Sequence, residues 1–560
     1  MLLLSPSLPA KRSTGIENAM TAAKGSSPAM NPRADFDAIV VGAGFAGMYM
    51  LHRLRGLGLK TRVIEAGQDV GGTWYWNRYP GARCDGESMF YSYSFSDALQ
   101  QEWTWTERYA AQPEILAYAR HVADRFDLRR DIAFDTRVTA ATFDENQRLW
   151  RVTTHRGEVL TAPFCIMGTG NLSTTNLPEI DGLATFRGAT YHTGTWPHHE
   201  VDFASRRVGV IGTGSSAIQA IPMIARSAAH LTVFQRTANY AVPAWNHPLT
   251  AEEVAEVKAH YAELREKQRW TFSHNMFEPA ARSALEVSEA ERQAEYERRW
   301  REGGLGFTSA FTDIQYSDAA NQTAADFVRA KIRAVVKDPA TAELLCPKII
   351  IGCKRLCVDT GYFETYNRDN VSLVDVSSTP ITRIAPEGPV IGETIHAVDA
   401  LVFATGFDAM TGTLLAIDIT TSEGNSLRDK WRDGPTCYLG LAMAGLPNLF
   451  IITGPGSPSV FTNMIPTIEH HVDFIADAIA DMRRSGRTRI EVDGAAESAW
   501  VQHVADLAEP SLRPSCNSWY VGANIPGKPR VFMPYMGGVP AYRRHCIEVV
   551  ENGYRGFNLS

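Results

Sequence analysis

Residues 36–65 read FDAIVVGAGFAGMYMLHRLRGLGLKTRVIE, and the fold is decided by how this stretch is read. The apolar, β-branched run Phe36 to Val41 predicts a buried strand. Gly42-Ala-Gly44-Phe-Ala-Gly47 follows, then a helical stretch, then a second strand ending at Glu65. In such a strand–turn–helix, Gly42 permits the tight turn, Gly44 lets the backbone approach a pyrophosphate, and Gly47 lets helix and strand pack closely. The anion then lies at a helix N-terminus, where unpaired N–H groups and the helix dipole favour it. Glu65, at the second strand's end, is placed to accept hydrogen bonds from adenosine ribose hydroxyls.

The same plan returns further along the chain. RVGVIG leads into Gly212-Thr213-Gly214-Ser215-Ser216-Ala217, a helix runs through IQAIPMIARSA, and the next strand, LTVFQ, ends in Arg236-Thr237 instead of an acid. A carboxylate would repel a ribose 2′-phosphate, whereas an arginine grips it. One charge-assisted contact of ~1.5–3 kcal/mol implies a preference for NADPH over NADH of roughly ten- to a hundredfold. FAD in the first site and NADPH in the second is the economical assignment.

At 560 residues the chain is too long for one core. The predicted fold class is α/β: two Rossmann-like dinucleotide-binding domains, for FAD and NADPH, with a helical insertion on the NADPH domain. Residues 1–34 read as a disordered tail, in which Met20 or Met30 is an alternative start. Residues 35–172 form the first part of the FAD domain, 173–204 a linker, 205–249 and 346–399 the NADPH domain, and 250–345 the insertion. Residues 400–560 complete the FAD domain, with a mobile lid near 515–530. CIMGTG (165–170) and ALVFATGFD (400–408) mark the two crossings, the first leading out of the FAD domain and the second leading back. A formal charge of -7 gives no case for nucleic acid or an anionic membrane. No stretch approaches ~18 uninterrupted apolar residues. The eight cysteines lack paired metal-ligand spacing, so no metal is expected, and reduced thiols point to a soluble, cytoplasmic protein.

Between the two sites stands Phe186-x-Gly188-x-x-x-His192-x-x-x-Trp196-Pro197. With GGTWYWNRYPGARCD (71–85), KRLCVDTGYFETYNRDN (354–370), GPGSPSVFTNM (454–464) and NSWYVGANIPGKPR (517–530), this chain resembles the Baeyer–Villiger monooxygenases, in particular the steroid, phenylacetone and cyclohexanone monooxygenase group. The likeness extends over nearly all of the chain from about residue 36. It implies NADPH- and FAD-dependent insertion of one oxygen atom of O2 beside a ketone carbonyl, giving an ester or lactone by way of an anionic flavin peroxide. Bulky, cyclic or aryl-bearing ketones are the implied substrates.

By the same resemblance, Arg355 is the fixed cation that keeps the reacting oxygen unprotonated, and Asp85 pairs with it. Thr73, Trp74, Tyr75, Trp76, Asp85, Tyr91, Val138 and Met464 join the loop glycines and Glu65 as FAD contacts. NADP contacts implied are Arg83, Cys84, Asp85, the loop Gly212 to Ala217, Gln219, Arg236, Thr237, Lys354, Arg355 and Trp519, the last on the lid. Gly188, Gly194 and Pro197 make a continuous helix unfavourable, so Phe186, Gly188, His192, Trp196 and Pro197 are read as a braced loop at a hinge between domains. His192 is expected to couple the domains and not to act as an acid or base at the carbonyl.

Three other readings stay open at this point. A related flavin monooxygenase oxidising nitrogen or sulfur would fit the two loops; the Trp196-Pro197 ending, where such relatives carry another, speaks against it. A dithiol reductase needs a close cysteine pair against the flavin, and Cys84 stands alone near the first loop. A non-catalytic flavoprotein would have lost Arg355.

Overall fold

The computed structural model describes residues 34–560, so the tail expected at the N-terminus lies, but for Ala34, outside the described residues. Two five-stranded parallel sheets carry the two glycine loops. In the first, Ala38–Val41 is central, flanked by Thr61–Ile64 and then Ile132–Ala133 on one side, and by Phe164–Met167 and then Leu449–Ile451 on the other. All four residues of Ala38–Val41 are buried, the signature of a parallel strand covered on both faces. The helix Phe45–Gly56 leaves this strand and packs on Met464–Arg484, where the Tyr49 hydroxyl donates to Asp473 at 2.9 Å.

The second sheet repeats the arrangement. Arg207–Ile211 is central, with His230–Gln235 and Val371–Asp375 on one side and Ala400–Phe403 and Ala189–His192 on the other. This corrects two expectations. Ala400–Phe403, expected to open the second part of the FAD domain, is instead an inner strand of the second sheet, standing where Phe164–Met167 stands in the first. The chain leads back directly after it, with Leu414 and Ile417 in the core around Ile39 and Val41, and Asp418–Thr421 paired with Val138–Asp144. Each glycine loop needs a parallel neighbour on its open side, and the chain supplies one before it crosses. The return to the first sheet comes only at Leu449–Ile451. The fingerprint, expected as a linker loop, includes a strand: Ala189–His192 pairs with Ala400–Phe403, His192 opposite Phe403, before a short helical turn at Thr193–Thr195.

The insertion also departs from expectation, because it bridges both units. Its first half, Ala251–Ala259 and Tyr261–Trp270, lies on the first core: Tyr261 is buried there, with Val254 and Val257 against it. Arg265 is buried and donates to the Phe90 and Met89 carbonyls and the Ser92 hydroxyl, while Gln268 donates to the carbonyls of Phe90 and His274. Its second half, Glu289–Glu302 and Asp318–Val335, fills the second core with Tyr296, Phe307 and Phe327. Tyr261, Arg265 and Gln268 recur four and three residues apart, one face of a helix, and that face is buried although it is polar. Among the described residues no helix is long and apolar enough to cross a membrane.

Candidate active site

Both loops are built for an anion. Gly42 (φ +102°) and Gly212 (φ +115°) hold a conformation that favours glycine, and a Cβ there would stand 2.6 Å from the Gly168 carbonyl oxygen and 2.5 Å from that of Ala404. A Cβ on Gly47 would come to 1.7 Å from the Gly42 oxygen, whereas a fully buried Ala217 takes that place in the second loop. The helices beginning after Gly44 and Gly214 have no side-chain cap, leaving first-turn N–H groups for a ligand. Gly214 opens onto space where an added Cβ would meet nothing within 4 Å; Gly44 instead faces the Gly72 backbone, its added Cβ 3.3 Å from the Gly72 Cα. These features fit two dinucleotides.

Glu65 is tied to its own loop: its carboxylate accepts from the Ala43 N–H at 2.6 Å and the Gly67 N–H at 2.7 Å. Burial pushes its pKa up while these N–H groups pull it down. A carboxylate has about four acceptor positions, so Glu65 keeps acceptor capacity beyond its own loop. Thr136 N–H donates to the Glu65 carbonyl, which brings the start of Val138–Asp144 beside this end of the site. In the short helix Thr73–Trp76, Trp74 and Tyr75 are core residues, Trp74 donating to the Tyr91 hydroxyl at 3.1 Å, while Thr73 is exposed and Trp76 half-buried. Met464, half-buried, opens the helix that packs on Phe45–Gly56.

Three blocks distant in sequence converge on one guanidinium. Arg355 Nε donates to Asp85 Oδ2 at 2.6 Å, Nη2 to Asp85 Oδ1 at 3.0 Å, and Nη1 to the Val460 carbonyl at 2.7 Å. Although burial opposes its charge, Asp85 holds the Arg355 pKa above the ordinary arginine range. Of five N–H donors, three are engaged; one hydrogen on each Nη has no acceptor among the described residues. The arrangement offers an incoming oxyanion two donors and a charge that cannot dissociate.

At the second loop, Thr213 Oγ1 donates to the Thr237 carbonyl at 2.7 Å, linking the turn to the end of His230–Gln235. Ser215 Oγ meets Cys357 Sγ at 3.2 Å, and Ser216 hydrogen-bonds Tyr79. Arg236 is exposed, with no ion-pair partner among the described residues. It lies near enough to Lys354 to lower that ammonium's pKa, adding to the larger effect of burial. Two cations without counter-charge at this spot suit a phosphate.

Three expected NADP contacts turn out otherwise engaged. Gln219 accepts from the Tyr79 hydroxyl (2.8 Å) and Arg83 N–H (3.3 Å) and donates to the Arg83 carbonyl (3.0 Å), so its amide joins the two nucleotide units. The Arg83 guanidinium is committed to Glu107 and the Tyr109 carbonyl. The Cys84 thiol is buried in the first core and accepts from Gly86 N–H, and burial raises its pKa. Gln219 is spent on the seam between units, and Arg83 and Cys84 are held within the first unit, which a motif match does not reveal.

In the fingerprint, a Cβ on Gly188 would lie 2.5 Å from the Asp399 oxygen and one on Gly194 2.5 Å from the Phe407 ring. His192 Nδ1 accepts from Gly194 N–H at 3.0 Å, which leaves the proton on Nε2, facing Thr405 Oγ1 at 3.4 Å. Burial lowers its pKa, which favours the neutral ring that the Nδ1 acceptor already requires. Trp196 is buried against Tyr191 and Phe203, while Phe186 packs against the neighbouring small core and Pro197 ends the motif half-buried. Trp519 stands on a turn, Trp519–Val521, packed with Tyr520 and Phe461 against Met410 and Val460. Two residues not singled out from the sequence anchor this segment: Asn524 donates to the Phe407 carbonyl at 2.7 Å, and Lys528 to the Ala409 carbonyl at 2.8 Å and to Asp408.

The family described as pyridine nucleotide-disulphide oxidoreductase matches residues 39–298. A Baeyer-Villiger monooxygenase of Pseudooceanicola batsensis is 45% identical over 93% of this chain and 96% of its own length. A phenazine N-monooxygenase of Lysobacter antibioticus is 42% identical over 94% of this chain and 98% of its own. Among solved structures, an oxidized steroid monooxygenase bound to NADP shares 54% identity at a TM-score of 0.90, covering 94% of this chain and 99% of that one.

Proposed function

This chain belongs to the Baeyer–Villiger monooxygenases, flavoproteins that use FAD and NADPH, and from that premise we propose that it inserts one oxygen atom of O2 beside the carbonyl of a small-molecule ketone, giving an ester or lactone. The observation that carries the reading is Arg355, clamped by Asp85 and the Val460 carbonyl with one hydrogen on each Nη unengaged.

Held at the Gly42–Gly47 loop and Glu65, FAD would supply the hydride acceptance and dioxygen chemistry, with NADPH at the Gly212–Ala217 loop as the reductant. The chain's own part is electrostatic and positional. Arg355 gives two N–H donors to an oxyanion and cannot transfer a proton to it, because Asp85 holds its pKa above the arginine range. Asp85 fixes the plane of the guanidinium through a two-point contact, which sets where the free hydrogens point. Arg236 and Lys354 supply positive charge for the 2′-phosphate. Glu65 orders the first loop and keeps acceptor positions for ribose. His192, neutral and bonded across the strand ends, serves the joint between domains, and the Trp519 turn covers the site from the lid. The eight cysteines are all free, which suits a cytoplasmic enzyme.

A nucleophilic attack on a carbonyl needs its oxygen anionic, and the Arg355–Asp85 pair provides for that; transfer to a soft nitrogen or sulfur does not require it. The test is NADPH consumption by the FAD-loaded enzyme across a panel of cyclic and aryl ketones, with sulfides and nitrogen heterocycles alongside and products identified by mass. Esters or lactones from the ketones support the proposal. N- or S-oxides alone would replace it with the rival reading.

A further inference from the structure

Two cysteines outside the chemistry described above meet where the catalytic loop touches the lid. Cys353 directly precedes Lys354 and Arg355; Cys516 lies three residues before Trp519. They are 4% and 5% exposed and lie near enough for each thiol to act on the other's titration, while the Cys516 thiol donates to the Leu512 carbonyl at 3.5 Å. Gln315 holds the two segments together. Its carbonyl accepts from Leu512 N–H at 2.9 Å, its Oε1 from Arg513 Nε at 3.1 Å, and its Nε2 donates to the Ile351 carbonyl at 3.4 Å. Asn321 fixes Ile351 from the other side, accepting its N–H at 3.0 Å and donating to its carbonyl at 2.9 Å. Gly352, at φ +89°, leaves room for Gln315, since a Cβ there would lie 2.4 Å from Gln315 Oε1.

The two thiols differ in character. The neighbouring Cys516 thiol, with the Lys354 and Arg513 charges nearby, holds Cys353 below the usual thiol range, while Cys516 is held above it. Cys353 is thus the partner that more readily gives up its proton, and the thiolate is the nucleophile. Cys516 stands beside it. Exposed Ser515 and Asn517 flank Cys516, so a small oxidant has a short path to the pair.

We propose that Cys353 and Cys516 form a peroxide-sensitive dithiol whose disulfide fastens the Trp519 segment to the loop carrying Lys354 and Arg355. The oxidant is hydrogen peroxide, which reduced flavoproteins release when no substrate consumes the activated oxygen. The Cys353 thiolate attacks one peroxide oxygen, the O–O bond breaks, and the departing hydroxide takes up a proton as water. Cys353 is left as a sulfenic acid, oxidised by two electrons. The Cys516 sulfur then attacks the Cys353 sulfur, the S–O bond breaks, and the hydroxyl leaves as water with the Cys516 proton. In sum, two thiols and one peroxide give one disulfide and two waters. A bond at this place restrains the lid that must move for the nicotinamide cofactor to exchange, so oxidation lowers turnover until the bond is reduced.

The test treats the FAD-loaded enzyme, without ketone, with hydrogen peroxide. Peptides are mapped by mass without reduction, and NADPH turnover is measured before and after dithiothreitol. Expected are a peptide crosslink joining 353 to 516, the loss of two free thiols, and a fall in turnover of about tenfold or more that dithiothreitol reverses. Cys353→Ala and Cys516→Ala should each lose the reversible part of the inhibition. The proposal is overturned if no crosslink forms in the parent enzyme, if Cys353 proceeds to sulfinic acid with Cys516 still free, or if the crosslinked enzyme turns over at the parental rate. The crosslink is read by mass and does not depend on which substrate the enzyme oxidises.

Discussion

Two arginines divide the chemistry. Arg355 has an acid partner and a carbonyl to hold it, and Arg236 has neither. We propose that the first acts on the reacting oxygen and the second binds the 2′-phosphate. Arg236→Ala should therefore raise the Michaelis constant for NADPH by roughly ten- to a hundredfold, the equivalent of one charge-assisted hydrogen bond, and leave that for NADH nearly unchanged. Steady-state kinetics with both cofactors checks this; equal losses would remove Arg236 from the 2′-phosphate. The identities of both arginines were legible in the sequence, one as a strand-end substitution for an acid and the other within a matched block. The Val460 carbonyl was not, because a backbone acceptor leaves no mark on residue type.

At the scale of elements, the glycines separate two kinds of constraint. Gly212 has a positive φ and no room for a Cβ, whereas Gly214 has an ordinary φ and open space. Gly212→Ala should lower the melting temperature through strain and collision, by about 1–3 kcal/mol of stability. Gly214→Ala should leave it nearly unchanged and instead weaken NADPH binding, since its methyl enters the space a pyrophosphate would use. Thermal melts paired with cofactor titration distinguish the two. Both glycine loops, with strand and helix on either side, were read from local pattern alone. The place of Ala400–Phe403 was misjudged because an apolar strand ending in Thr-Gly looks the same whether it closes one domain or opens the next. Only pairing with Arg207–Ile211 decides it. The buried face of Tyr261–Trp270 was hidden by its arginine and glutamine, which sequence patterning assigns to solvent and the structure satisfies with backbone carbonyls.

At the scale of the whole molecule, the insertion joins units that each glycine loop would otherwise leave separate. His274 sits in the insertion, fully buried, with Nδ1 against the Thr467 hydroxyl of Met464–Arg484 at 3.0 Å. Burial first, and Arg543 second, push its pKa down to about 3 from an ordinary 6.5. Below pH 6.5 the unfolded chain protonates this ring and the native protein does not, so the native state loses relative stability as pH falls from 6.5 towards 3. At pH 5 the loss is about 2 kcal/mol from this residue. His274→Gln should remove that slope, so that between pH 7.5 and pH 5 the variant's melting temperature falls less than the parent's. Parallel profiles would show that His274 is not held neutral.

The central claim is that the Arg355 guanidinium stabilises an anionic oxygen during attack on the carbonyl. It is tested most directly by measuring NADPH oxidation and ester formation together in Arg355→Ala, with a ketone the parent enzyme converts. The account predicts that the variant still accepts hydride from NADPH while ester formation falls by about 10²–10³, the usual cost of losing an oxyanion donor. Ester formation within a few-fold of the parent rate would contradict it.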